Sequence, residues 1–246
     1  MSNIEAKAID LFNKKKFKDS LNLFEILLKE NPHSLQINLL SSYCCIEMKQ
    51  YEKALIFLNG IIRLNKKIPE VYYHKGICHS SLRQFGEAIN SYEKAIALKK
   101  NYIESYIQLG HLLKQISKLN EAIKVLLVAL DNVQQKDLIY TNISEIYYLK
   151  KNYDLSIKYA NEALKNDKNN FYAVINIANC YIDLGRIEEA IEELEKIGVH
   201  NKNVSMIFTN LGYSYKLLGD YDKANLNYQK AITINPNNCD AHFNLS

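Results

Sequence analysis

The chain has 246 residues, of which 48% are hydrophobic and 24% are charged, and its formal net charge is +4. This balance excludes a mainly disordered chain. Eight glycines and three prolines leave few tight turns, which disfavours an all-β sandwich or barrel.

The N-terminal stretch and the cysteines indicate the cellular location of the chain. Residues Met1–Lys7 are polar and contain no apolar signal core, so we expect no secretion. No apolar run reaches the length that crosses a bilayer, and we expect no membrane partner. The five cysteines are odd in number and form no C-x-x-C pair. Reduced thiols in a cytoplasmic location fit this usage better than a disulfide framework.

Small residues recur every 34 residues along the chain. One series is Ser20, Ala54, Ala88, Ala122, Ser156, Ala190 and Ala224. A second series is Ala8, Ser42, Gly76, Gly110, Ser144, Ala178 and Gly212. Bulky apolar residues form a third series, which is Phe17, Tyr51, Phe85, Leu119, Tyr153, Ile187 and Tyr221. A fixed period of this length indicates a repeat architecture.

Each 34-residue unit predicts two helices. If positions are numbered from residues 1, 35, 69 and so on, the small and apolar residues fall at positions 4, 7, 8 and 11 and again at 20, 24 and 27. Spacings of three and four place each set on one face of an α-helix, here called helix A and helix B. Helices with such short connections pack as antiparallel hairpins. The sequence therefore predicts an all-α chain in which A and B helices alternate.

The predicted repeats follow one another without a gap. In chain order they are 1–34, 35–68, 69–102, 103–136, 137–170, 171–204 and 205–238. Residues 239–246 match the opening of an eighth, truncated repeat. Because this stretch supplies only half of a helix A, we expect it to be frayed and to be followed by more chain or by a partner.

Two stretches of the sequence resemble the tetratricopeptide repeat family closely. The first carries Phe208, Leu211, Gly212, Tyr213, Ala224, Tyr228, Ala231 and Asn235-Pro236, and the second carries Tyr72, Gly76, Phe85, Ala88, Tyr92 and Ala95. The resemblance covers the whole chain, although Lys7, Ser41 and Lys75 replace the family's usual leucine at position 7. It implies a right-handed superhelical solenoid whose A helices line a concave channel.

No set of residues predicts catalysis or a metal site. His74 and His111 point to the predicted channel in neighbouring repeats, but a third ligand is not evident. Neither a G-x-x-x-x-G-K-[ST] nor a G-x-G-x-x-G phosphate loop occurs. We therefore expect no cofactor, no metal and no enzyme activity in this chain.

Position 6 carries asparagine in four successive repeats, at Asn142, Asn176, Asn210 and Asn244. We expect this position to face the channel and solvent. A side-chain amide has one acceptor and two donor hydrogens, so it can pair with both groups of a peptide unit. Adjacent helices lie about 8–10 Å apart and an extended chain advances about 3.3 Å per residue, so each asparagine can hold about every third residue of an extended peptide.

At these four positions the C-terminal repeats resemble the tetratricopeptide arm of O-linked N-acetylglucosamine transferases. Asparagine is also common at this position across the family, so a generic repeat is an open alternative. Five other residues of the same face are expected to contact partner side chains, namely Tyr73, His111, Glu145, Asn179 and Tyr213. Positions 2 and 5 contain no lysine, which disfavours the family's clamp for the acidic tails of chaperones.

The sequence predicts a non-catalytic scaffold that binds an extended segment of a protein or peptide partner. Two alternatives stay open. One is the substrate-recognition arm of a longer enzyme, for which the resemblance makes a cytosolic protein glycosyltransferase the first candidate. The other is an RNA-binding helical-repeat protein, but most of the eighteen tyrosines fall at core positions, which disfavours a nucleic-acid partner. Nothing in the sequence sets the oligomeric state.

Overall fold

The computed structural model describes residues 3–245, which form fifteen α-helices and no strand. In chain order the helices are α1 (Asn3–Asn13), α2 (Phe17–Glu30), α3 (Leu35–Glu47), α4 (Tyr51–Leu64), α5 (Pro69–Ser81), α6 (Phe85–Leu98), α7 (Ile103–Gln115), α8 (Leu119–Asn132), α9 (Asp137–Leu149), α10 (Tyr153–Asn166), α11 (Phe171–Asp183), α12 (Ile187–His200), α13 (Ser205–Leu217), α14 (Tyr221–Ile234) and α15 (Cys239–Leu245). The predicted all-α class is confirmed. Odd-numbered helices are the predicted A helices and even-numbered helices are the predicted B helices.

The turn from helix A to helix B contains one left-handed residue at position 15. These residues are Lys15, Lys49, Arg83, Ser117, Lys151, Gly185 and Gly219, with φ between 57° and 79°. The following N–H closes the turn, as when Gln50 N donates to Cys45 O over 2.8 Å. This is the usual way of ending a helix on a left-handed residue, for which glycine is preferred. The chain uses glycine there in only two of the seven turns.

The small residues at positions 8 and 20 lie where helices A and B meet. Ser20 Oγ donates to Ala8 O over 2.9 Å, and Ser156 Oγ donates to Ser144 O over the same distance. All four residues have no exposed surface. Small side chains at these positions therefore let the two backbones come close enough for direct hydrogen bonds.

At Gly76 and Gly212, two of the three glycines at position 8, the tyrosine at position 24 fills the space. A Cβ added to Gly76 would lie 2.4 Å from Tyr92 Cε1, and a Cβ added to Gly212 would lie 2.6 Å from Tyr228 Cδ1. Both tyrosines are almost fully buried. In these two repeats the tyrosine ring at position 24 occupies the space that glycine leaves at position 8.

The chain consists of two compact units, Met1–Lys118 (unit 1) and Leu119–Ser246 (unit 2). In unit 1, Phe24, Leu58 and Ile61 belong to one buried core cluster. In unit 2, Leu194, Ile207 and Tyr228 belong to another. The boundary falls inside the predicted repeat 103–136, and the division into seven equal repeats stays a prediction.

The predicted eighth repeat begins as a helix. Residues Cys239–Leu245 form α15, which packs on α13 and α14, and Ala241 is fully buried. Ser246, the last residue of that predicted repeat, lies outside the described residues, as do Met1 and Ser2. The fraying of this segment stays a prediction.

Candidate functional site

Three of the four position-6 asparagines make the same bond within their own helix. Asn142 Nδ2 donates to Leu138 O over 2.7 Å, Asn210 Nδ2 to Met206 O over 3.0 Å, and Asn244 Nδ2 to Asp240 O over 2.8 Å. All three side chains are partly exposed. Each of these bonds uses one of the two amide hydrogens and fixes the direction of the side chain.

Asn176 differs from the other three. It is only 9% exposed, and its Nδ2 donates to Thr141 O over 3.2 Å and to Ser144 Oγ over 3.3 Å. The amide therefore ties α11 to α9, and it does not face solvent as the sequence led us to expect. His74, at the same position of another repeat, is likewise 9% exposed. The expectation that position 6 faces solvent is wrong for these two residues.

A polar groove surrounds Asn210 in unit 2. Its volume is about 680 Å³, and α13, the end of α14 and the start of α15 contribute its walls. Asn210 shares this groove with Ser205, Met206, Thr209 and Asp240. Amide, hydroxyl and carboxylate groups together can bind both donors and acceptors, as the backbone of a peptide requires.

Asn238 at position 34 organises this groove, and the sequence analysis missed it. Its Oδ1 accepts from Ala241 N over 3.0 Å and caps α15, while its Nδ2 donates to Thr209 Oγ1 over 2.8 Å. Asn170, two helix pairs earlier in the same unit, makes the matching bonds to Thr141 Oγ1 and from Ala173 N. The sequence did contain a signal for this contact. Threonine at position 5 and asparagine at position 34 occur together in two repeats, as Thr141 with Asn170 and as Thr209 with Asn238.

Large apolar side chains at position 2 are exposed beside the position-6 amides in unit 2. Leu138 is 41% exposed, Tyr172 is 50% exposed and Met206 is 45% exposed. Residues four apart lie on the same helix face, so each apolar side chain is a neighbour of the next position-6 asparagine. The sequence analysis did not single out these three residues.

The remaining predicted site residues are distributed over the A helices. In unit 2, Tyr213 is 40% exposed on α13, and Glu145 and Asn179 are partly exposed on α9 and α11. In unit 1, His111 is exposed on α7 and Tyr73 is half-buried on α5. Only Asn210, of the nine predicted residues, lines the described groove.

Unit 1 contains a row of four aromatic rings on the A-helix side. The ring centroids are 4.4 Å apart between Tyr43 and His74, 5.0 Å between His74 and Tyr73, and 5.3 Å between Tyr73 and Tyr102. The hydroxyl of Tyr43 lies 2.8 Å from His74 Nε2. Burial lowers the pKa of His74 to about 4, so this ring is neutral at pH 7.

Two carboxylates lie near this row, and the ammonium of Lys99 lies over the ring of Tyr102. Burial and the carboxylate of Glu70 raise the pKa of Tyr43. Burial and Glu104 raise the pKa of Tyr73. Burial, followed by Glu70 and Glu104, also raises the pKa of Tyr102. The three hydroxyls are therefore protonated at neutral pH, beside two carboxylates.

The cysteines have the environment of packing residues. Cys44, Cys45, Cys78 and Cys180 are fully buried, and Cys239 is exposed. Burial raises the pKa of Cys45 to about 11 and that of Cys78 to about 12, which suppresses the reactive thiolate. Within residues 3–245 there is no group of three His, Cys, Asp or Glu side chains placed to hold a metal ion. In the same range, every helix is too short or too polar for a bilayer crossing.

Known proteins match this chain along most of its length. A family model described as tetratricopeptide repeat matches residues 11–74 and 147–205, which is half of the chain. Two further models with that description match residues 69–102 and 103–131, and one described as TPR repeat matches residues 212–245.

One relative and two solved structures illustrate the similarity. The Hsp70-Hsp90 organizing protein 3 of Arabidopsis thaliana is 26% identical over 130 residues, which are 50% of this chain but only 23% of that protein. A tetratricopeptide repeat protein from Parabacteroides merdae has a TM-score of 0.76 at 15% identity, covering 98% of this chain and 96% of the other. YrrB, described as a TPR protein with an unusual peptide-binding site, has a TM-score of 0.52 at 20% identity, covering 76% of this chain and 96% of the other.

The matched models span both units, and the ranges 69–102 and 103–131 begin at the helices α5 and α7. Proteins built from such repeats serve as protein-interaction scaffolds, and the exposed A-helix faces described above are suited to that role. The chain belongs to the tetratricopeptide repeat family.

Proposed function

We propose that this chain is a non-catalytic scaffold that holds an extended segment of a partner protein against the A-helix face of unit 2. In this proposal the amides of Asn142, Asn210 and Asn244 pair with the backbone of the segment. Asn176 acts indirectly, because its bonds to Thr141 and Ser144 hold α11 against α9.

The groove at Asn210 is the observation that carries this proposal. It is large enough for several residues of an extended chain, and Asn210, Ser205 and Thr209 offer donors and acceptors within it. An extended segment leaves its own N–H and C=O groups unpaired, so a groove lined by such groups recognises it independently of its side chains.

The apolar residues at position 2 add a second element of recognition. Leu138, Tyr172 and Met206 are exposed on the helices that carry the amides. They favour a segment with apolar side chains on the side that faces the scaffold, since burial of such side chains stabilises a complex. Glu145, Asn179 and Tyr213 are the proposed polar contacts of unit 2, and Tyr73 and His111 those of unit 1.

Two of the similar proteins support a peptide partner. YrrB is described as having a peptide-binding site, and the Arabidopsis relative is named as an organizing protein of Hsp70 and Hsp90. The chain spans about a quarter of that relative's length, so the activity of the whole relative does not extend to this chain. A cytoplasmic location belongs to the proposal as well, because none of the five cysteines is in a disulfide.

A peptide library displayed on phage and panned on the full chain tests the proposal. We expect selected peptides to bind with measurable affinity in calorimetry. The double variant Asn142→Ala/Asn210→Ala removes several hydrogen bonds to the peptide backbone, each contributing about 0.5–1.5 kcal/mol. Affinity should therefore fall tens- to hundreds-fold, which corresponds to about 2–4 kcal/mol.

A matched control separates loss of peptide contacts from loss of the bond that each amide makes within its own helix. Asn166 and Asn227 also donate from Nδ2 to the carbonyl four residues earlier, at 2.8 and 2.9 Å, but they lie on B helices. The double variant Asn166→Ala/Asn227→Ala should bind the same peptides with unchanged affinity. Failure to select any peptide, or equal losses in both double variants, would contradict the proposal.

A further inference from the structure

The aromatic row of unit 1 and its two carboxylates form a compact surface. Tyr43 lies on α3, Tyr73 on α5, and Tyr102 immediately before α7, and the neighbouring rings in the row lie about 4–5 Å apart. Tyr43, Tyr73 and Glu70 are partly exposed, Glu104 is exposed, and Tyr102 and His74 form a buried floor. We call the five residues Tyr43, Glu70, Tyr73, Tyr102 and Glu104 the tyrosine–glutamate site.

The two carboxylates of this site are not held in ion pairs, although the ammonium of Lys99 lies over the ring of Tyr102. Glu70 and Glu104 both act on the hydroxyl of Tyr102, so two carboxylates lie close to one ring. Among residues 3–245 neither carboxylate has an ion-pair partner within 4.0 Å. The two carboxylates contribute a charge of minus two to the site, and the Lys99 ammonium beside Tyr102 offsets one of them, in a chain whose net charge is positive.

The rings accept a cation within the chain itself. The ammonium of Lys99 lies 4.8 Å from the centroid of Tyr102, inside the range of a cation–π contact. Tyr43 and Tyr73 have no such contact in the described residues. Their partly exposed rings leave room for a cation from outside.

The floor of the site contains a buried polar atom without a partner. His74 is buried, its Nε2 contacts the hydroxyl of Tyr43, and its Nδ1 has no hydrogen-bond partner in the described structure. A buried polar atom without a partner destabilises the fold.

We infer that the tyrosine–glutamate site binds the guanidinium group of an arginine in the partner segment. This inference deepens the proposed function and rests on it, since the arginine belongs to the segment that the scaffold holds. A guanidinium is planar and stacks on tyrosine rings, while its N–H groups donate to carboxylates and to hydroxyl oxygens. An ammonium is a more strongly hydrated point charge and matches rings and two carboxylates less well.

A titration of the full chain with Nα-acetyl-arginine amide tests the inference. The chain carries isotope-labelled tyrosine, and the shifts of the Tyr43 and Tyr73 ring resonances are followed by NMR. We expect saturable shifts with the arginine compound and none with Nα-acetyl-citrulline amide, which has the same shape without the charge. Equal shifts with the two compounds, or no saturable shift, overturn the inference.

Two charge variants make the test specific. Glu70→Gln/Glu104→Gln keeps the size of both side chains and should weaken arginine binding about tenfold. Glu52→Gln/Glu87→Gln removes the same charge from exposed B-helix positions of the same unit and should leave binding unchanged. An unchanged affinity in the first variant, or an equal loss in the second, shows that the site does not recognise the cation.

The result of the arginine titration can be told apart from the result of the peptide selection that tests the proposed function. Peptides that bind unit 2 and weaken in the Asn142→Ala/Asn210→Ala variant, together with no response to the arginine compound, overturn the inference and leave the scaffold proposal standing. Arginine binding at the tyrosine–glutamate site combined with no selected peptide overturns the scaffold proposal instead. When both hold, the selected peptides should be enriched in arginine on wild-type protein and lose that enrichment on Glu70→Gln/Glu104→Gln.

Discussion

Units 1 and 2 use the same helix pair but carry different chemistry at the same positions. Position 2 is Glu70 and Glu104 in two repeats of unit 1, whereas it is Leu138, Tyr172 and Met206 in unit 2. Position 6 is His74 in one repeat of unit 1, whereas it is asparagine in the repeats of unit 2. Positions 8, 20 and 24 pack the helices in both units. In the proposed function, packing and recognition therefore depend on separate positions, so one can vary while the other is kept.

The largest difference should appear on acidification. The folded pKa of His74 is about 4 and its ordinary value is 6.5. Between these values the unfolded chain binds a proton that the folded chain does not, so stability falls as the pH falls from about 6.5 to about 4. The loss is about 3 kcal/mol, and it is measured as the free energy of unfolding in urea at a series of pH values.

His74→Asn removes the titrating group and places there the residue that unit 2 uses. Its unfolding free energy should depend less on pH over this window by about the same 3 kcal/mol. His111→Asn, a change at an exposed histidine of unit 1, should follow the wild type. An unaltered pH dependence in His74→Asn would show that burial of this ring does not distinguish the units.

A smaller difference should appear within unit 2, between Asn176 and Asn210. Asn176→Ala removes a buried amide that bonds α9, so we expect a loss of about 1–3 kcal/mol in the free energy of unfolding. Asn210→Ala removes a partly exposed bond within one helix and should cost less than about 0.5 kcal/mol. Thermal and urea unfolding of the two variants would measure the difference. Equal losses would mean that all position-6 residues share one role.

The smallest effect concerns the turns. All four position-15 residues of unit 1 are left-handed without being glycine, whereas unit 2 has Gly185 and Gly219 in two of its three turns. Arg83→Gly should therefore raise the stability by about 1 kcal/mol, because an L-residue is strained in this region. Gly185→Arg should lower it by a similar amount. No atom lies within 4 Å of a Cβ added to Gly185, so that loss would be conformational rather than steric.

The melting temperatures of these two variants are the measurement. A gain in Arg83→Gly paired with a loss in Gly185→Arg supports the conformational explanation. A stable Gly185→Arg variant would refute it, and the choice of residue at this position would then have no bearing on the stability of either unit.

The sequence predicted the helices well because their signal is local and periodic. Phe17, Tyr51 and Phe85 each begin a B helix, as the 34-residue register requires. The left-handed turns were visible only at Gly185 and Gly219, since the other turns have no glycine. The burial of Asn176 and His74 was not predictable, because it depends on partners such as Thr141 and Tyr43 that lie about thirty residues away. The asparagine series itself stays a prediction.

The glycine–tyrosine contact between paired helices has a consequence for how this sequence can change over time. Alanine at residue 76 would collide with the ring of Tyr92, whereas Ala178 coexists with Leu194 at the same two positions. Overpacking of a filled interior destabilises it, and substitutions in contact are not additive. The order of mutations therefore matters, because Tyr92 must be replaced by a smaller residue before Gly76 can be replaced by a larger one. The repeats that contain Gly76 and Gly212 thus restrict the substitutions open to their own interiors, whereas the exposed side chains at position 2 are not subject to this packing limit.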